Sequence, residues 1–200
     1  MNHYSEAQHA NQQFLQELKN ATRNHHRRVE EVFKIMSPNL TLQKYQFWLG
    51  KLYGFYAPLE FALDAYATST TLNCNTRYKS ALIIRDLSNL GVSATEIGQL
   101  PLCQPIPPVT EINHYLGVLY VLEGATLGGS IIAKHLVKTL ELANAESLSF
   151  FQPYGPDPLP HWQAFQKQLL ELTEPDNIDM LISTACMTFD CLSDWLATDG

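Results

Sequence analysis

Apolar residues recur at three- and four-residue steps through most of the chain, the spacing that keeps one face of a helix apolar. Over residues 14–36 the stripe runs through Phe14, Leu18, Ala21, Val29, Val32 and Phe33, and Pro38 in "SPNLT" closes it. Thr41 is placed to cap the next helix, an aromatic stretch over residues 42–66 with Pro58 inside it as the expected kink. The polar run "TSTTLNCNT" separates that helix from an amphipathic one over residues 77–90, which Gly91 stops. "QLPLCQPIPPV" has four prolines and no period, so it reads as a loop feeding the most apolar part of the chain. A second break, "ESLSFFQPYGPDPLP", precedes closing helices over 162–172 and 178–196. No window alternates with period two, and no repeat of fixed length occurs. The pattern predicts an all-α, single-domain helical bundle over residues 1–200, with 1–12 a poorly ordered N-terminal extension.

One element departs from its own pattern. "YVLEGATLGGSIIAKHL", residues 120–136, reads as a buried helix yet contains Gly124, Gly128 and Gly129. Each glycine costs a helix about 0.8–1 kcal/mol relative to alanine, so three cost about 2.5–3 kcal/mol. Either another helix crosses here at close range, or a flat ligand lies against the backbone where side chains have been removed. Gly124 and Gly128 are one turn apart on the same face, and Gly129 widens the gap.

Composition narrows the setting. A formal net charge of −7 argues against a nucleic-acid binder and against an anionic-membrane binder. The N-terminal residues have no basic flank followed by an apolar core, so no signal peptide is expected. Glycines and charges interrupt every long apolar stretch, so no membrane span is expected either. Cys74, Cys103, Cys186 and Cys191 have no CxxC spacing, and the expected state is four reduced thiols in a cytoplasmic protein.

The first helix supplies candidate chemistry. Thr22, His26 and Glu30 lie on one line, each four residues from the next. A neutral imidazole leaving a helix is a common iron ligand, and its second nitrogen takes an orienting acceptor such as a carboxylate. His25, however, lies nearer the centre of the stripe formed by Leu18, Ala21 and Val29, and spacing alone leaves both histidines open. Zinc is disfavoured because adjacent histidines cannot both face one metal from a regular helix. A di-iron carboxylate site would need inward ligands such as Glu30, Glu60, His114 and Glu123. Such a site leaves the glycines unexplained.

"LKNATRNHHRRVEE" resembles the proximal-helix signature of heme oxygenases, and "LYVLEGATLGG" resembles the glycine-rich distal helix of their bacterial, phytochrome-associated branch. The likeness extends to "YQFWLGKLYGFYAPLE", "LPLCQPIPPV", "FFQPYG" and "TFDCLSDWL", and so covers most of the chain from Leu18 onward. The resemblance implies heme as cofactor and substrate, held between the first helix and a kinked glycine-rich distal helix. Dioxygen and external electrons would open it to biliverdin, carbon monoxide and iron. The family register selects His26 as iron ligand and Glu30 as its partner. It gives Gly124 and Gly128 the catalytic role of close approach, and Thr22, Gly129 and Phe189 places around the heme. Lys19 and Lys167 are its candidates for the heme propionates. Part of the family carries an aspartate where this chain has Ala125, which offers no side-chain donor for proton delivery.

The implied partners are heme, dioxygen, an electron donor such as ferredoxin or a flavin reductase, and a bilin-accepting photoreceptor. Arg23, Arg27, Arg28 and Lys34 would form the docking face for an acidic donor. The expected oligomeric state is a monomer. A non-enzymatic heme carrier or sensor of the same fold is the alternative.

Overall fold

The computed structural model describes residues 3–70, 77–142, 147–173 and 177–198, and side chains of the first helix from residue 8 onward. The described residues form helices α1 (His3–Val32), α2 (Leu42–Thr70), α3 (Ser80–Asn89), α4 (Ala94–Gly98), α5 (Ile112–Gly124), α6 (Thr126–Leu140), α7 (Leu159–Leu172) and α8 (Ile178–Ala197). A 3-10 turn, Lys34–Met36, follows α1, and no strand occurs among the described residues.

Three boundaries differ from the sequence expectation. Among the described residues α1 begins at His3, ahead of Phe14, the first residue of its apolar stripe. The helix expected over residues 77–90 begins only at Ser80, because a carboxylate from another helix caps it. Glu60 on α2 accepts the backbone N–H groups of Lys79 at 2.5 Å and Ser80 at 3.1 Å, taking over the role of a local N-cap. α4 is an added short helix, built on a capping box in which Ser93 and Glu96 satisfy one another's backbone N–H groups.

α1 and α8 run parallel with a register of about 165 residues. Ala21 carbonyl faces Cys186 Sγ at 3.8 Å, His25 meets Asp190, and Arg28 reaches Asp190 and Asp194 at 2.8 and 3.3 Å. α5 packs on the other side of α8 so closely that a Cβ at Gly117 would meet Leu181 O at 2.7 Å and Thr184 Cβ at 2.9 Å. α8 is therefore the shared support for the helix carrying the histidines and the helix carrying the glycines.

The stretch expected as one central helix is two, α5 and α6, meeting at Ala125. That residue keeps right-handed dihedrals (φ −58°, ψ −25°), and its N–H still reaches Val121 O at 3.1 Å. The combined run Ile112–Leu140 is long and apolar enough, by length and composition, to cross a membrane, in contrast to the expectation from its glycines and charges. Over half of its most apolar stretch is buried within the bundle, as befits a core helix.

Candidate functional site

The space between α1 and the α5–α6 junction is a cavity of about 490 Å³. His26 and Glu30 enter from α1, Phe189 and Leu192 from α8, and residues 124–128 from the junction. Leu52 and Tyr56 of α2 form its floor, and Phe150 and Phe151 of the α6–α7 loop complete the apolar wall. A second cavity of about 370 Å³ adjoins it, sharing His26, Gly124, Leu127 and Phe189, and adds Lys19, Thr22, Arg23, Tyr120, Trp162 and Gln166. An apolar chamber with few polar groups, continuous with a mouth containing cations, suits a flat, largely apolar ligand with an anionic edge.

The two histidines separate cleanly. His25 Nδ1 lies 2.8 Å from Asp190 Oδ1, and Arg28 donates to the same oxygen at 2.8 Å. Its imidazole is thus part of the α1–α8 clamp and lines neither cavity. His26 lines both. Its Nδ1 faces Glu30 Oε2 at 3.6 Å, an electrostatic pairing longer than a direct hydrogen bond, and its ring stands edge-on to Phe189. Nδ1–H directed toward the carboxylate leaves Nε2 as the lone-pair nitrogen, the tautomer a metal ligand needs.

The three glycines have three different surroundings. At Gly129 an added Cβ would collide with the Phe151 carbonyl oxygen and stand 2.9 Å from its carbon. Gly129 therefore serves close helix–loop packing and lines neither cavity, unlike the heme-contacting place the resemblance gave it. At Gly124 a Cβ would meet the Trp162 ring at 3.8 Å, ordinary contact. At Gly128 it would meet nothing within 4 Å, although the residue faces the cavity. Protein packing explains the first glycine and leaves the helix penalty at the other two unexplained.

Of the two expected anion-binding lysines, Lys19 lines the second cavity beside Arg23. Lys167 does not; its side chain is 80% exposed and faces Glu171 along its own helix at 3.8 Å. Thr22 borders the second cavity but its hydroxyl donates back to Leu18 O at 2.8 Å, so its polar atom serves α1.

A polar group that spacing did not reveal lies at the cavity wall. Lys79, buried and lining the first cavity, donates from Nζ to Glu123 Oε1 at 2.6 Å and to Arg77 O at 2.7 Å. Arg77 holds the other carboxylate oxygen of Glu123 at 2.9 Å, and Tyr154 O–H donates to both oxygens at 3.0 and 3.1 Å. Burial draws the Lys79 ammonium below its usual range, and the Glu123 carboxylate opposes that. Burial first, then nearby carboxylates, pushes the Tyr56 and Tyr154 phenols well above their usual value, so both stay protonated. The only sequence signal was a glutamate inside an apolar helix immediately before Gly124.

These contacts also settle Glu60 and Glu123 as a cap and an ion-pair partner. Among the described residues no three His, Cys, Asp or Glu side chains converge on a metal position, so the carboxylate cluster of a di-iron site is not assembled.

The heme oxygenase family model matches residues 12–198. Solved structures share the fold. The heme oxygenase of Leptospira interrogans has a TM-score of 0.75 at 17% identity, over 92% of this chain and 98% of that one. Heme oxygenase-1 of Synechocystis sp. PCC 6803, solved in complex with heme, has a TM-score of 0.75 at 14% identity, over 92% and 90%. Heme oxygenase-2 of the same cyanobacterium, with heme and NO, has a TM-score of 0.75 at 17% identity, over 92% and 83%. A search of the curated proteins finds no match to the sequence.

Proposed function

The chain belongs to the heme oxygenase family and degrades heme, and we propose that His26 is the iron ligand and the Gly124–Gly128 face the wall against which the macrocycle lies. The observation that carries this reading is the open space at Gly128, in a cavity that His26 enters from the other side. Two glycines that no protein atom requires become understandable if a flat occupant needs the room.

The residues present fit heme. A neutral histidine is a standard axial donor, and the chamber between it and the glycines is apolar. Bound heme supplies the iron that activates dioxygen, and its own ring is the substrate that opens to biliverdin, carbon monoxide and iron. The chain's part is to bind, orient and exclude water. Glu30 fixes the tautomer and direction of His26. Phe189 holds the imidazole plane. Phe150, Phe151, Val121 and Leu122 keep bulk water from the chamber. Lys19 and Arg23, at the adjoining mouth, are placed for the propionates.

Ala125 brings no polar atom, and Lys79 is a polar residue lining the same cavity. Its ammonium has three N–H donors. The Arg77 carbonyl and the Glu123 carboxylate take two, which leaves one proton at Nζ for a water in the chamber.

The same reading extends to partners. Arg23 and Arg27 are exposed on α1 near His26, where an acidic electron donor such as ferredoxin or a flavin reductase would dock, whereas Arg28 is held by Asp190 and Asp194 in the α1–α8 clamp. We place the protein in the cytoplasm as a monomer that supplies biliverdin to a bilin-accepting photoreceptor.

Hemin titration of His26→Ala and His25→Ala tests the assignment. His26→Ala loses the histidine-ligated spectrum and regains it with added imidazole, while His25→Ala keeps it. The reverse pattern would refute the assignment.

A further inference from the structure

Two of the four cysteines, 88 positions apart in sequence, meet in the fold: Cys103 Sγ and Cys191 Sγ are 3.5 Å apart. Cys103 sits in the loop between α4 and α5, anchored to α2 by its N–H, which donates to Gly54 O at 2.9 Å. Cys191 follows Asp190 of the α1–α8 clamp and precedes Leu192 of the cavity wall, and its thiol also reaches Pro105 O at 3.5 Å. The pair therefore lies where α2, the proline-rich loop and α8 converge, behind the chamber. Among the described residues Cys186 has no such neighbour in its contacts, its Sγ lying 3.8 Å from Ala21 O, and Cys74 lies outside the described residues.

We propose that Cys103 and Cys191 are a dithiol modification site that hydrogen peroxide oxidises to an intramolecular disulfide, tying the α4–α5 loop to α8. The two sulfurs already touch, and a closure of about 1.5 Å brings them to the S–S bond length of about 2.05 Å.

Their electrostatics are unequal in the direction this chemistry needs. The contact with Cys191 draws the Cys103 thiol below its ordinary value, while the same contact and burial push Cys191 up. Burial and Asp190 hold Cys186 above its ordinary value, which disfavours its thiolate.

The reaction balances without a further reagent. Cys103 thiolate attacks one peroxide oxygen; an S–O bond forms, the O–O bond breaks, and the departing hydroxide takes a proton as water. Cys191 sulfur then attacks the Cys103 sulfenic acid; the S–S bond forms, the S–O bond breaks, and the second water leaves with the Cys191 proton. Two electrons pass from the sulfur pair to the peroxide.

The test is peptide mapping of the full, heme-free chain, the form between substrate molecules. It is treated with hydrogen peroxide, alkylated without reduction and analysed by mass spectrometry. The expected product is a cross-linked peptide joining Cys103 to Cys191, two hydrogens lighter than its parts, with Cys186 alkylated. Dithiothreitol reverses it, and Cys191→Ser does not form it. Full alkylation of Cys103 and Cys191 after peroxide, sulfinic acid at either without a cross-link, or a bridge to another cysteine would overturn the proposal. Cys103→Ser serves as the second variant, so misfolding of one substitution does not decide the outcome.

Discussion

Phe189 on α8 stands edge-on to His26 on α1, with ring centroids 5.5 Å apart and planes at 86°. The neighbouring residues make the companion contact, Asp190 to His25, at 2.8 Å between Oδ1 and Nδ1. Two adjacent residues of α8 thus sort two adjacent histidines. The carboxylate engages His25 in the helix clamp, and the phenyl ring sets the plane of His26 without occupying either nitrogen. An aromatic contact orients an imidazole without taking up either of its nitrogens.

Gly128→Ala and Gly129→Ala move stability in opposite directions. The first adds a methyl group to open space and removes glycine's helix penalty, so the heme-free protein gains up to about 1 kcal/mol. The second drives a Cβ into the Phe151 backbone and costs about 1–3 kcal/mol. Urea denaturation of the heme-free variants measures both. Equal destabilisation would mean that Gly128 is also required by packing.

Lys19→Gln weakens hemin binding, and Lys167→Gln leaves it unchanged. Lys19 borders the cavity mouth, whereas Lys167 is a solvated charge opposite Glu171. Loss of one partly screened charge contact is worth about 1 kcal/mol, or about fivefold in affinity. Competition of hemin with a weaker apoprotein acceptor reads the difference.

Lys79→Met removes the ammonium from a carboxylate that is 1% exposed, and lowers stability by about 3–5 kcal/mol. Combining it with Glu123→Gln recovers part of that loss, because the buried carboxylate no longer lacks its ammonium, although Arg77 then loses its own ion pair. Denaturation midpoints of the two single variants and the double variant form the cycle.

The helices were legible because their stripes are long and their breaks contain proline, glycine or a polar run. α5 and α6 merged in the sequence because Ala125 keeps helical dihedrals, so the pattern carries no stop signal there. α3 starts late for a reason no local window contains: its cap, Glu60, comes from α2. The site was half legible. His26, Glu30, Gly124 and Gly128 lie on helix faces that spacing and family likeness bring together. Gly129 looked equivalent to Gly128, and only the Phe151 backbone tells them apart. Lys79 and Arg77 from one segment and Tyr154 from another converge on Glu123, and such a cluster has no sequence period.

The central claim is that the empty space at Gly128 is the room heme chemistry uses. The most direct measurement is the absorbance time course, in air with ascorbate and catalase, of hemin-loaded wild type and Gly128→Leu, with chromatography of the pigment. Wild type loses its Soret band and yields biliverdin; Gly128→Leu, with a wild-type melting temperature before loading, yields little or none. Equal biliverdin from both would contradict the account.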